Sequence, residues 1–328
     1  MGISGKLFHL LFGPNKAPPP ARQGIESIED WVIGGNFRVL NKMGLGGTAC
    51  VLRAFDLALK REVALKVLLE TETTNEELTK RFLDEGRILA SLHHPNVVMV
   101  YSLGVDERLK FPFLVMEMIH GTTLEDHQEE FQRNPLLLLQ EMLTVFEAIH
   151  FCHQKNVIHL DLKPSNIMVD QNGQIKIIDF GIASSVLHQK TSEFALGTAY
   201  YMAPEQFSGQ LKLTPETDIY ALGIILWELL TGKPPFLPDP GSPDPFLDLA
   251  NRHKQMAPPL DLLEQLSHAG PLSWLIGSML AKDPTCRPEI PFIAKCLREE
   301  LLAQGGCIGE RYDVTEVIQR QGMIHFFK

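Results

Sequence analysis

The run His159-Leu160-Asp161-Leu162-Lys163-Pro164-Ser165-Asn166 is followed, thirteen residues after Asn166, by Asp179-Phe180-Gly181. Two carboxylates and an amide at this spacing can surround one metal-bound triphosphate. Asp161 has the chemistry to accept or orient a hydroxyl proton, and Lys163, two residues on, can reach a transferring phosphate. Asn166 and Asp179 offer hard oxygen ligands of the kind Mg²⁺ takes, with Mn²⁺ as a substitute.

Such groups work only if other elements hold them. Residues 43–51 read Met-Gly-Leu-Gly-Gly-Thr-Ala-Cys-Val, a glycine-rich turn between apolar runs. Glycine lets a backbone approach phosphate oxygens and donate N–H groups to them, although a turn like this also suits a plain hairpin. Lys66 follows fifteen residues after Val51, inside Val63-Ala64-Leu65-Lys66-Val67. On a strand it points away from the side of its two neighbours. Between residues 76 and 92, Leu78, Phe82, Leu83, Leu89 and Leu92 recur at helical spacing, with Glu85 mid-way. Glu72, Glu76, Glu77 and Asp84 read as solvated charges.

In this order and spacing the segments resemble the eukaryotic-type serine/threonine protein kinases, over residues 37–300. The Lys-Pro-Ser of the loop is of the serine/threonine kind. The resemblance extends to Gly197-Thr198-Ala199-Tyr200-Tyr201-Met202-Ala203-Pro204-Glu205, to Asp218-Ile219-Tyr220-Ala221-Leu222-Gly223, and to Asp283-Pro284-Thr285-Cys286-Arg287-Pro288. The style is that of the bacterial branch. The resemblance implies an α+β, two-lobed fold: a small β-rich N-lobe with one long helix and a larger helical C-lobe. It divides the chain into a segment and proline-rich linker at 1–36, N-lobe and hinge at 37–119, C-lobe at 120–302 and a tail at 303–328.

The resemblance also implies roles. Gly44, Leu45, Gly46, Gly47, Thr48, Ala49, Cys50 and Val51 form the loop over ATP, and Lys66, paired with Glu85, holds the α- and β-phosphates. Met116 is the gatekeeper, and the Glu117–Ile119 backbone receives adenine between Val51, Ala64 and Met168. Thr198 bonds to Lys163 and Asp161 beneath the peptide. Arg287 makes a buried pair with Glu205, while Asp218 opens a core helix capped by Thr214 and Pro215. The substrate class is a protein carrying a Ser or Thr hydroxyl.

Two residues depart from the pattern. Ala49 stands where the third glycine of the loop is usual, a mild change if its φ is negative. Leu160 stands where most of the family has the arginine that collects an activation-loop phosphate. Phosphates at Ser184, Ser185, Thr191 or Ser192 therefore lose that electrostatic route, and activity is constitutive or set by a partner or the tails. A pseudokinase scaffold is the first alternative, although Lys66, Asp161, Asn166 and Asp179 are all present. A small-molecule phosphotransferase is the second, against which stands the Gly197–Glu205 peptide platform.

Composition narrows the rest. In 328 residues, 45% are hydrophobic, enough for a substantial core, and the net charge of −10 with no basic stripe argues against nucleic acid. Five cysteines without Cys-x-x-Cys spacing suggest free thiols in a reducing, cytoplasmic setting; Cys50 on the loop reads as packing before redox chemistry. No run of 18 apolar residues suggests a membrane span. Residues 3–12 form a small apolar patch suited to weak contact with a membrane surface or a partner. Residues 233–260 carry eight prolines and read as largely loop, and Gly305-Gly306 closes the last helix. Oligomeric state has no signature in the sequence.

Overall fold

A computed structural model of the chain describes residues 31–45, 49–68, 76–107, 111–181, 193–208, 213–266 and 269–306. Residues 3–12, Gly46, Gly47, Thr48 and the four candidate phosphosites lie outside the described residues.

The N-terminal part is an antiparallel sheet of six strands: β1 (Val32–Ile33), β2 (Phe37–Leu45), β3 (Ala49–Asp56), β4 (Arg61–Leu68), β5 (Val100–Val105) and β6 (Pro112–Glu117). Their order is β1-β2-β3-β4-β6-β5. The strands form because their apolar residues alternate. Val63, Leu65 and Val67 of β4 are fully buried with Cys50, Leu52 and Ala54 of β3 in one cluster that also takes Phe111, Phe113 and Val115. The intervening residues, Ala64 and Lys66, face the other side, where Leu68, Leu114 and Met116 pack in a core shared with Phe82 and Leu89 of helix α1 (Glu76–Ala90). Lys66 therefore lies on the face turned to the larger lobe.

The sheet begins earlier than position 37. Ile33 is 1% exposed, Trp31 packs on the same cluster, and Val39 donates its N–H to the Trp31 carbonyl at 2.7 Å. Gly34 and Gly35, with φ of +57° and +73°, make the reversal, and the Gly34 N–H donates to Asp106 at 2.8 Å. Residues 31–36 are thus a sheet edge, correcting their assignment to the linker.

The larger part contains α2 (Gln128–Arg133), α3 (Pro135–Gln154), α4 (Glu193–Ala199), α5 (Pro215–Thr231), α6 (Pro245–Gln255), α7 (Asp261–Glu264), α8 (Ser273–Met279) and α9 (Ile290–Ala303). A small sheet of β7 (Gly121–Thr123), β8 (Ile167–Asp170) and β9 (Ile175–Ile177) lies beside them. Helix α3 has a mean hydropathy of 1.3, enough for a membrane span by composition, but its Leu138, Met142, Val145, Phe146 and Ile149 are the core of this lobe. Gly121 must be glycine, because a Cβ there would sit 2.0 Å from the Val169 carbonyl oxygen. The last helix ends at Gly305, φ +80°.

Most of 233–260 is loop, and one helix, α6, stands within it. Pro245 occupies its first turn, where a missing N–H costs nothing, and Asp244 accepts from Leu247 N at 3.0 Å. The prolines flank the helix rather than interrupt it. Its His253 is fully buried against Phe207, Tyr220 and Phe236, with Nδ1 2.9 Å from the Tyr220 hydroxyl. Burial, with Lys282 nearby, lowers its pKa to about 3. Between that value and the unfolded value near 6.5, the unfolded chain binds the extra proton. Stability is therefore full above pH 6.5 and falls with acidification, by at most about 1.4 kcal/mol per unit from this group. Urea unfolding between pH 7.5 and 5 should fall more steeply for wild type than for His253→Leu; parallel slopes would refute this.

Candidate active site

Asp218, 1% exposed at the start of α5, organises the loop before Asp161. Its carboxylate accepts from His159 N at 2.8 Å and from Leu160 N at 2.9 Å, and His153 Nε2 lies 2.8 Å away. Leu160 is held at φ +65°, a left-handed conformation that costs an L-residue roughly 1–2 kcal/mol. Strong local bonds keep it there. The buried His159 ring reaches the Ile178 carbonyl at 3.0 Å and packs 4.4 Å from the ring of Phe180. Burial drives that imidazole below its ordinary pKa, keeping it neutral.

The loop side chains converge. Lys163 Nζ donates to Asp161 Oδ2 at 3.1 Å and to Thr198 Oγ1, on α4, also at 3.1 Å. Asn166 Nδ2 donates to the Asp161 carbonyl at 2.8 Å and to Asp161 Oδ2 at 2.9 Å. Both bonds use the nitrogen end of the amide, leaving Oδ1 as its acceptor. Asp161 keeps about 20% of its side chain exposed, which leaves it an open side.

Asp179 meets this cluster from the loop that follows β9. The Ile178 N–H donates to the Asn166 carbonyl at 2.9 Å, and the Gly181 N–H to the His159 carbonyl at 2.8 Å, so the two loops are stitched by backbone. Asp179 itself has φ +52° and takes Lys66 Nζ on Oδ1 at 3.1 Å. The Lys66 ammonium holds its carboxyl below the usual carboxylate range, against the opposing effect of burial. Lys66 comes from β4, 113 positions earlier, so one contact spans the two lobes. Glu85 sits half-buried in mid-α1.

On the sheet side of the cleft, Ala64 and Met116 are paired across β4 and β6, both under 8% exposed. Val51 and Met168 are partly buried against the same core, and Ile119 is 9% exposed. The Glu117 N–H is already donated to the Met99 carbonyl at 2.9 Å. Its carboxylate takes Lys176 Nζ at 2.8 and 2.9 Å and Met99 N at 2.8 Å.

The platform beyond Thr198 is anchored from below. Arg287 donates to both oxygens of Glu205, at 2.6 and 2.9 Å, with its side chain wholly buried. Tyr201 donates its hydroxyl to Glu228 at 2.7 Å, and burial raises both groups above their usual pKa values.

A profile of the protein kinase domain matches residues 37–301. The chain belongs to the protein kinase family. It is 36% identical over 260 residues to the serine/threonine-protein kinase PrkC of Bacillus subtilis, covering 78% of this chain and 39% of that protein. It is also 36% identical over 254 residues to PknB of Mycobacterium tuberculosis, covering 75% and 39%. The chain thus spans about two-fifths of the length of these curated relatives. Among solved structures, the PknI kinase domain of Mycobacterium tuberculosis superposes with a TM-score of 0.61, at 23% identity over 83% of this chain and 98% of that one. That likeness concerns the fold, which is the two-lobed α+β kinase fold.

Ala49 sits on β3, 8% exposed, paired with Leu68 of β4, so the strand accommodates its methyl group. Cys50 is a packing residue. It is fully buried, its Sγ donates to the Gly44 carbonyl at 3.2 Å, and burial pushes the thiol up to about 11, far from a reactive thiolate. His153, Gln206 and Lys176 were missed in the sequence. Each acts through a bond to a residue 46 to 65 positions away, for which a lone polar side chain carries no signal.

Proposed function

We propose that this chain transfers the γ-phosphate of Mg·ATP to a Ser or Thr hydroxyl of a protein. The observation that carries the reading is the single bonded cluster of Asp161, Lys163, Asn166 and Thr198, stitched by backbone to Asp179 with Lys66 upon it. Little covalent chemistry falls to a kinase, so positioning and charge stabilisation dominate.

Asp161 accepts or orients the hydroxyl proton, and Lys163 neutralises charge on the transferring phosphoryl group. Lys66 holds the α- and β-phosphates, with Glu85 of α1 as its further partner. Gly44, Gly46 and Gly47 cover the phosphates from above. Adenine lies between Val51, Ala64 and Met168, with Met116 behind it. Because the Glu117 N–H is occupied, the hinge offers the purine the Glu117 carbonyl and the Ile119 N–H.

Asn166 Oδ1 and the Asp179 carboxylate are the oxygens that would hold the metal. The fit is good: both are hard donors, and Mg²⁺ takes few protein ligands and completes its shell with phosphate and water. When bound, the cation supplies charge neutralisation between the phosphates.

Leu160 removes the arginine that would bind an activation-loop phosphate, so we assign activity that does not depend on such a phosphate. The test of the substrate class is incubation with Mg·ATP and a generic acceptor protein, read by mass spectrometry. Phosphate on Ser or Thr is expected; phosphate only on Tyr, or none above an enzyme-free blank, defeats the reading.

A further inference from the structure

Gln206 follows Glu205 directly and is 4% exposed. Both ends of its amide are used. Nε2 donates to the Leu160 carbonyl at 3.1 Å, and Oε1 accepts the Ala203 N–H at 2.8 Å. The Gln206 N–H returns a bond to the Ala203 carbonyl at 2.9 Å. One partner is a bare acceptor and the other a bare donor, so a carboxamide satisfies both where a carboxylate or an alkyl group would not.

What Gln206 grips is the residue before Asp161. Leu160 sits in the left-handed region, with its N–H on Asp218 from α5 and its carbonyl on Gln206 from the platform. Both polar backbone groups are thus clamped, from two elements. Leu160, Leu162, Tyr201, Met202, Gln206 and Ala221 also line one small hollow beneath the loop. With leucine at 160, no side-chain cation is there to couple the loop to a phosphorylated segment. A buried neutral amide makes a coupling of its own.

We infer that Gln206 is a positioning residue that locks the peptide platform to the catalytic loop without phosphorylation. This rests on the kinase reading above. The experiment compares wild type, Gln206→Leu, Gln206→Glu and Gln206→Leu with Leu160→Gly, all as the full chain. In Gln206→Leu, kcat should fall on the order of 10- to 100-fold while KM for Mg·ATP stays within about twofold, the pattern of a displaced reacting group. Adding Leu160→Gly should recover at least about threefold, because glycine adopts positive φ without strain. Gln206→Glu should gain relative to wild type as pH falls from about 8 to 6, since only a protonated carboxyl can donate to the Leu160 carbonyl.

A Gln206→Leu chain with kcat within about twofold of wild type would overturn the assignment. So would a loss carried wholly by KM. Amide hydrogen exchange at Leu160–Leu162 reads the same coupling without turnover. It should accelerate about tenfold or more in the variants, and unchanged exchange overturns the proposal even in a chain that transfers no phosphate. An inactive wild type with accelerated exchange in the variants would instead defeat the kinase reading and leave the lock standing.

Discussion

Asp161→Asn should leave Mg·ATP binding unchanged and lower phosphoryl transfer by about 10²- to 10⁴-fold, the usual worth of a positioned general base. The substitution is nearly isosteric, so packing of the loop is preserved. Its chemistry is not. Asp161 Oδ2 receives both Lys163 Nζ at 3.1 Å and Asn166 Nδ2 at 2.9 Å. An amide can keep its oxygen on that side only by turning its NH₂ to the exposed side, where the substrate hydroxyl must place its proton. The opposite orientation sets an NH₂ against an ammonium and another NH₂. Either way the acceptor of the proton is gone, while Lys66 and Asp179 are untouched. Steady-state kcat, with a nucleotide titration as control, measures this. A variant retaining a third of the turnover would remove Asp161 from the chemistry.

The second large effect is on stability. Arg287→Met should cost on the order of 3–5 kcal/mol, since it strands a buried charge. Arg287 donates to the two Glu205 oxygens, to the Ala281 carbonyl at 2.9 Å and to the Glu216 carbonyl at 2.8 Å, with its guanidinium 4.9 Å from the centre of the Tyr220 ring. Truncation leaves Glu205, 4% exposed, with the Thr217 hydroxyl at 3.0 Å as its remaining side-chain donor among the described residues. Replacing Glu205 as well, by Leu, should recover part of the loss, because the isolated charge then disappears. Urea unfolding of the two variants decides it. A single-variant loss under about 1 kcal/mol would mean that the pair is solvated or dispensable.

The chemistry of this chain is written in short local runs, and those runs were legible. Asp161, Lys163 and Asn166 lie within six residues, and a loop that short must bring them together. Lys66 could be set on the cleft face because a strand alternates. Helix α1 announced itself by its period. Other features are invisible for a physical reason. Asp218 reads as an acidic residue in a first helical turn, yet its carboxylate serves the backbone of a loop 58 and 59 positions earlier. Side-chain bonds to main-chain groups impose no residue type on the partner and leave no pattern there. Lys66 was matched to Glu85 from sequence, but its 3.1 Å bond to Asp179, 113 positions on, left no signal there. The eight prolines of 233–260 weighed against a helix, but a proline in a first turn is a helix start. The Gly-Gly-Asn turn after Val32-Ile33 was a hairpin signal that the proline-rich linker before it obscured.

One measurement bears most directly on the account: transfer of labelled γ-phosphate from Mg·ATP by the wild-type chain after exhaustive phosphatase treatment. The account predicts immediate, lag-free labelling of Ser and Thr on an acceptor, because Leu160 leaves no phosphate to wait for and Asp161 is already in place. A chain that binds Mg·ATP but transfers nothing would contradict it, leaving a nucleotide-binding scaffold. Labelling that starts only after rephosphorylation would contradict the phosphate-independent half of it.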